Sequence, residues 1–161
     1  MPHDKECCQK FDPQPWDGIT HEWKNKLFIK KTISQLFHMP IPWVYSKTLT
    51  AMWEQAKSHG IAPDIKDFLL LAYDPSPWKS ELYLYVLREH KDVENIVPMN
   101  GRYISKVFDG PYQNVPKYMK EMELFLQKQG ERAKKYYFYF TTCPECAKKY
   151  GHNYIVVFTE V

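Results

Sequence analysis

The chain has 161 residues, enough for one domain with a full core and too few for two comfortable ones. Its 22 basic and 19 acidic residues leave a net charge of +3, which argues against a dedicated nucleic-acid binder with basic charge gathered on one face. No apolar run reaches membrane-spanning length and the polar start carries no leader pattern, so a cytoplasmic protein without membrane contact is expected.

The aromatic share is 16%, with 12 Tyr, 9 Phe and 5 Trp. A core of this size does not need so many amphipathic rings, whereas a ring-lined pocket or an interface would use them.

Residues 1–26 are polar and proline-bearing and hold no regular period. They read as an irregular arm whose rings, Phe11, Trp16 and Trp23, tack it onto the body. Residues 27–38 read as a strand, broken by Met39-Pro-Ile-Pro-Trp43. Ser46 suits a helix N-cap, Leu49, Met52, Trp53 and Ala56 follow at helical spacing, and Gly60 closes that helix. Phe68–Tyr73 is a strand, Asp74-Pro-Ser-Pro-Trp-Lys a turn, and Glu81–Arg88 a second strand with Tyr83 and Tyr85 on one face. Residues 90–101 form a connector.

The pattern then starts again. Arg102–Asp109 is a strand and Gly110-Pro-Tyr112 a break. Asn114 is an N-cap with Pro116 in the first turn, and Tyr118, Met119, Met122 and Leu126 make an apolar stripe before Gly130. Tyr136–Thr141 and Asn153–Thr159 are the last strands. Ile33-Ser-Gln-Leu-Phe-His-Met-Pro40 aligns with Ile104-Ser-Lys-Val-Phe-Asp-Gly-Pro111, four of eight identical at an offset of 71. Phe68 and Phe138 match at 70, and Leu82 and Tyr154 at 72. A strand–helix–strand–strand order repeated in register is an internal repeat. The expected fold class is α+β: a tandem β-α-β-β pair with pseudo-twofold symmetry, repeat one 27–90 and repeat two 102–161. It makes one curved antiparallel sheet with two helices packed on one face and a cleft between the halves.

The order and the Val107-Phe-Asp-Gly-Pro-Tyr112 segment resemble the GyrI-like (gyrase-inhibitor-like) small-molecule-binding family over residues 27–161. That family includes effector domains of multidrug-sensing transcription regulators. The chain is also similar to its stand-alone bacterial subgroup with a Cys-Cys arm and a Cys-Pro-x-Cys hairpin, a subgroup named as hydrolases. The resemblance implies a ring-lined pocket at the pseudo-twofold axis. Many members carry a buried glutamate on the strand after the second helix; here that strand reads Tyr137-Phe-Tyr139 and has no acid.

The candidate ligand-binding rings are Trp43, Tyr45, Trp53, Tyr83, Tyr85, Tyr112, Tyr118, Tyr137 and Tyr139, with core packing as the alternative for any one of them. The acids on the second helix, Glu121 and Glu123, cannot both face a cleft; Glu121 sits four residues after Lys117, and Glu123 holds the repeat position of Trp53. A carboxylate shielded by rings would serve as general acid or base. Glu54, Glu160 and the aligned pair His38 and Asp109 are further candidates. No serine-hydrolase elbow or phosphate loop is present.

The Cys143-Pro-Glu-Cys146 segment reads as a hairpin turn, too short for the helix that redox chemistry needs. With Cys7 and Cys8 it could supply four zinc ligands, His3 or His152 standing in for one; plain thiols are the alternative. Either way the arm would be clipped to the hairpin. The function expected is binding of an apolar or aromatic small molecule, for sequestering or sensing, with no cofactor beyond a structural zinc. One alternative is a hydrolase of a reactive small molecule in the same cleft. Another is a protein-interaction adaptor of gyrase-inhibitor type, with a protein partner.

Overall fold

The computed structural model of the chain describes residues 10–141 and 144–161. Its elements are β1 (Ile19–Leu36), β2 (Met39–Pro40), α1 (Pro42–Ser58), β3 (Leu70–Ser76), β4 (Lys79–Val86), β5 (Ile96–Asp109), α2 (Val115–Lys128), β6 (Lys135–Phe140), α3 (Pro144–Tyr150) and β7 (Tyr154–Glu160). All strand pairs described below are antiparallel, and the class is α+β. No helix among the described residues is long and apolar enough to cross a membrane.

The chain divides into two compact units, residues 22–101 and the described residues up to His21 with Arg102–Val161. In the first unit the strands pair in the order β2-β1-β4-β3. Phe28 stands opposite Tyr85 and Ile29 opposite Leu84, so side chains separate by chemistry across the sheet. Ile29, Ile33, Leu70, Leu82, Leu84 and Val86 share the aliphatic face and are buried. Phe28, Tyr83 and Tyr85 share the other.

In the second unit β7 lies between β5 and β6. Tyr118, Met122 and Leu126, spaced four apart on α2, pack on Ile104, Phe108, Phe138, Ile155 and Val157. Ile155, Val156, Val157, Phe158 and Thr159 are all buried, so both faces of β7 are covered.

Both units thus pair the first strand with the last and the last with the middle one. The ladders do not keep the constant offset that the sequence suggested. Ile33 stands opposite Ser80, near the start of β4, whereas Ile104 stands opposite Thr159, near the end of β7. The reason is the connection. A turn at Pro77-Trp78 lets β3 and β4 run on as a ribbon with β1 beside it, while α3 replaces that extension between β6 and β7.

Several expected boundaries move. The arm ends sooner: β1 begins at Ile19, where Ile-Thr-His-Glu-Trp alternates but offers little apolar signal. Asn25, in the left-handed region at φ 51°, interrupts it, and its N–H bonds to the Asn100 side chain at 2.7 Å. Ser46 lies inside α1, which starts at Pro42 with Ile41 as the N-cap residue. The connector 90–101 already holds the start of β5, and β3 runs through the expected turn to Ser76 by way of a bulge. Phe37 (φ 49°) and His38 (φ 65°) form the two-residue turn joining β1 to β2, a left-handed geometry that β-hairpins favour and non-glycine residues resist. The Cys-Pro-Glu-Cys segment is not a turn: its last three residues open α3. Lys148 and Lys149 suit that helix's carbonyl end, and Gly151 (φ 73°) closes it.

The strand-to-helix break in the second unit depends on Gly110. Its φ is 156°, and a Cβ there would collide with the Tyr118 hydroxyl. Tyr118 is itself stacked on Phe108, 4.8 Å between centroids at 16°. We expect Gly110→Ala to destabilise the fold, and the added change Tyr118→Phe to relieve the collision while leaving a backbone penalty of about 1–2 kcal/mol. Chemical denaturation of the single and double variants measures this; equal loss in both would contradict the contact.

Candidate functional site

The first unit offers a ring-lined sheet face with polar handles. Lys26 Nζ lies 3.9 Å from the Tyr85 ring centroid and 5.2 Å from that of Trp23, and Trp23 packs on Phe28. Burial lowers the Lys26 pKa, partly offset by the negative charge of Asp67. Beside these rings Lys30 pairs with Glu81 at 3.2 Å, and the Tyr83 hydroxyl donates to Glu81 at 2.8 Å.

The second unit has the matching face on the side of its sheet away from α2. Tyr103 stacks on Phe158 at 5.3 Å, with Tyr137 edge-on to Tyr103. The segment before β1 lays its rings here: Phe11 against Tyr139 and Tyr154, and Trp16 against Tyr139 and Phe158. Burial and the nearby Glu160 push the Tyr103 phenol pKa up. His21 packs against both Trp16 and Phe158, and its Nε2 lies 2.7 Å from the fully buried Ser105 Oγ. The Ser105 hydroxyl donates to the Trp16 carbonyl at 2.6 Å, so the imidazole must donate to Ser105. This serine is a clamp on the segment. Its proton is committed and its neighbour is an N–H, so His21 cannot activate it as a nucleophile.

At the end of β5 is a second arrangement. His152 Nδ1 donates to Asp109 Oδ2 at 2.6 Å, and the Asn153 N–H donates to Asp109 Oδ1 at 2.9 Å. Partial burial would raise the Asp109 pKa. The bonds from His152 and Asn153 and the imidazole's charge outweigh it, and the carboxyl is held below its usual value. The His152 ring stacks on Tyr154, 5.0 Å away at 12°. A cavity of about 510 Å³ opens beside them, lined by Lys10, Phe11, Asp12, Pro13, Tyr150, His152 and Tyr154. The first unit has the pair with the partners exchanged: His38 Nδ1 donates to Asp74 Oδ2 at 2.7 Å, and Gln35 donates to Asp74 Oδ1 at 2.5 Å. His38 and Asp109 are the residues that the internal alignment equates.

Of the other expected ligand-binding rings, Trp43 is exposed and Tyr45 half-buried on α1, and Trp53 packs edge-on to Phe68 at 5.3 Å. Tyr112 packs on Phe140 at 5.0 Å. Tyr118 is core, its hydroxyl donating to the Pro111 carbonyl at 3.4 Å. Glu121 and Glu123 are both exposed, so neither has the shielding expected of a general acid or base; Glu121 pairs with Lys117 at 4.0 Å. Glu123 borders a cavity of about 830 Å³ with Tyr136, whose phenol pKa is raised by burial and by Glu123. Cys7, Cys8 and Cys143 lie outside the described residues. Cys146 is buried on α3, and no group of three or more His, Cys, Asp or Glu able to hold a metal occurs among the described residues.

A family model described as "Bacterial hydrolase" matches residues 2–161. The chain belongs to that family. Two solved structures share its fold. The EcmrR C-terminal domain has a TM-score of 0.65 at 10% identity, covering 90% of this chain and 96% of that one. A structure described as a hydrolase from Listeria innocua has a TM-score of 0.61 at 12% identity, covering 89% and 91%. No curated protein matches the sequence.

The depressed pKa makes Asp109 a source of acid sensitivity. A carboxylate held below its unfolded value of about 3.9 stabilises the fold above that pH and loses its contribution as pH falls through the folded value. Because Asp109 is 41% exposed, the effect at neutral pH is at most about 1 kcal/mol. Denaturation of wild type and Asp109→Asn across pH should show a gap at pH 7 that closes as acid protonates the Asp109 carboxylate. A gap independent of pH would contradict the assignment.

Proposed function

We propose that this protein binds an apolar or aromatic small molecule against the tyrosine-bearing sheet face of its first unit, as a cytoplasmic sequestering or sensing module. The observation carrying this is the segregation of rings. In the first unit Ile29, Ile33, Leu82, Leu84 and Val86 take one face of the sheet, and Phe28, Tyr83 and Tyr85 take the other. Rings with phenol and amine handles suit a flat ligand better than they suit simple packing. Lys30 already neutralises Glu81, so the first unit's face favours an uncharged ligand over a cation. The resemblance to the GyrI-like family and the fold shared with the EcmrR domain support the same reading. A hydrolytic role is the second reading, and the family's description favours it. A structural zinc on Cys7, Cys8, Cys143 and Cys146 is part of the proposal; metal analysis of protein purified without chelator should find one equivalent.

Thermal-shift screening against neutral and cationic aromatics tests the binding reading, since a ligand specific for the folded state raises Tm by mass action. Neutral aromatics should raise Tm and quench tryptophan emission. Tyr85→Ala should weaken binding roughly 2- to 10-fold, the worth of one aromatic contact. No shift with any aromatic ligand would count against this function.

A further inference from the structure

We propose that His152, positioned by Asp109, is the general base of a hydrolytic site that takes a small uncharged ester into the cavity at the end of β5. Three observations converge. The imidazole donates from Nδ1 to Asp109, which leaves its Nε2 lone pair without a partner among the described residues. The carboxylate is anchored at its second oxygen by the Asn153 N–H, and the ring plane is fixed by stacking on Tyr154. A cavity of about 510 Å³, large enough for a small substrate, has His152 in its wall.

The lining names the substrate class. Phe11, Pro13, Tyr150 and Tyr154 give apolar and aromatic walls, and the two charges on the rim, Lys10 and Asp12, are of opposite sign. No net charge selects an ion, so a neutral molecule with an apolar or aromatic group fits. In the reaction His152 Nε2 takes a proton from water as the water oxygen adds to the acyl carbon and the carbonyl π pair moves onto oxygen. Collapse of the adduct breaks the ester C–O bond. The departing alkoxide or phenolate takes the proton back from Nε2, releasing an acid and an alcohol. His152 is the catalytic residue and Asp109 the positioning residue.

The exchanged pair in the first unit supplies the control. His38 and Asp74 have the same contact but line neither of the two cavities described above. The experiment follows hydrolysis of 4-nitrophenyl butyrate by the full chain, with folding of each variant checked by circular dichroism. Wild type should show saturable turnover. His152→Gln should lose about 100-fold or more in kcat/KM, the usual worth of a general base, and His38→Gln should match wild type. The groups facing His152 are Asp109 from β5, Tyr154 from β7, Tyr150 from α3, and Lys10 and Asp12 from the N-terminal segment. Asp109→Asn should lower kcat more than it raises KM, because the imidazole loses the carboxylate that holds its ring in place. Equal turnover in wild type and His152→Gln overturns the proposal. So does a rate that never saturates, or an equal loss in His38→Gln, either of which marks unspecific imidazole chemistry. Ligand binding at the tyrosine face is a separate property, and its presence or absence leaves these outcomes readable.

Discussion

The double-sided burial of β7 is the constraint on which the second unit depends. Five consecutive residues, Ile155 to Thr159, are out of water, and a strand can hide both alternations only if something lies on each face. On one face α2 presents Tyr118, Met122 and Leu126. On the other the segment before β1 contributes Trp16, held by the Ser105 hydroxyl on its carbonyl and by Asp17, whose carboxylate accepts the Val107 N–H at 3.2 Å. The segment is therefore a structural layer.

That division of labour explains how two kinds of surface coexist in so short a chain. In the second unit the face under α2 closes with Ile104, Ile155 and Val157 together with Phe108 and Phe138. On its reverse face the first unit keeps the Tyr83 and Tyr85 phenols with the Lys26 amine, and the second keeps the Tyr103 and Tyr137 phenols with the His21 imidazole. The His–Asp pairs add a second theme. Histidine and aspartate exchange places between His38–Asp74 and Asp109–His152, so each clasp keeps one partner at the sixth residue of the aligned motif.

Much of this was legible from the residues. Strand–helix–strand–strand order, the α2 stripe, Pro116 in its first turn and the closing glycines all carry strong local signals, and each lies where period and turn chemistry put it. Ladder register was not legible, because matched motifs say nothing about how long a neighbouring ribbon runs. Nor was α3, whose seven residues give too few turns for an apolar period to show. The start of β1 was hidden because its inward positions are His21 and Trp23 among polar neighbours. At the site, sequence proposed Glu121 and Glu123 on helical geometry alone, which cannot tell a solvent-facing acid from a shielded one. It equated His38 with Asp109 but not their partners, Asp74 and His152, since those contacts close only when distant segments meet. The Ser105–His21 contact spans 84 positions and leaves no local trace.

The direction of that last hydrogen bond makes the clamp blind to acid. A neutral imidazole carrying its proton on Nε2 and a doubly protonated imidazolium offer Ser105 the same donor. The flanking rings of Trp16 and Phe158 accept a cation on their faces as readily as they accept a neutral ring. Acid therefore reaches the Asp109 clasp through its carboxylate, while Ser105 keeps a donor facing it in either form of the imidazole.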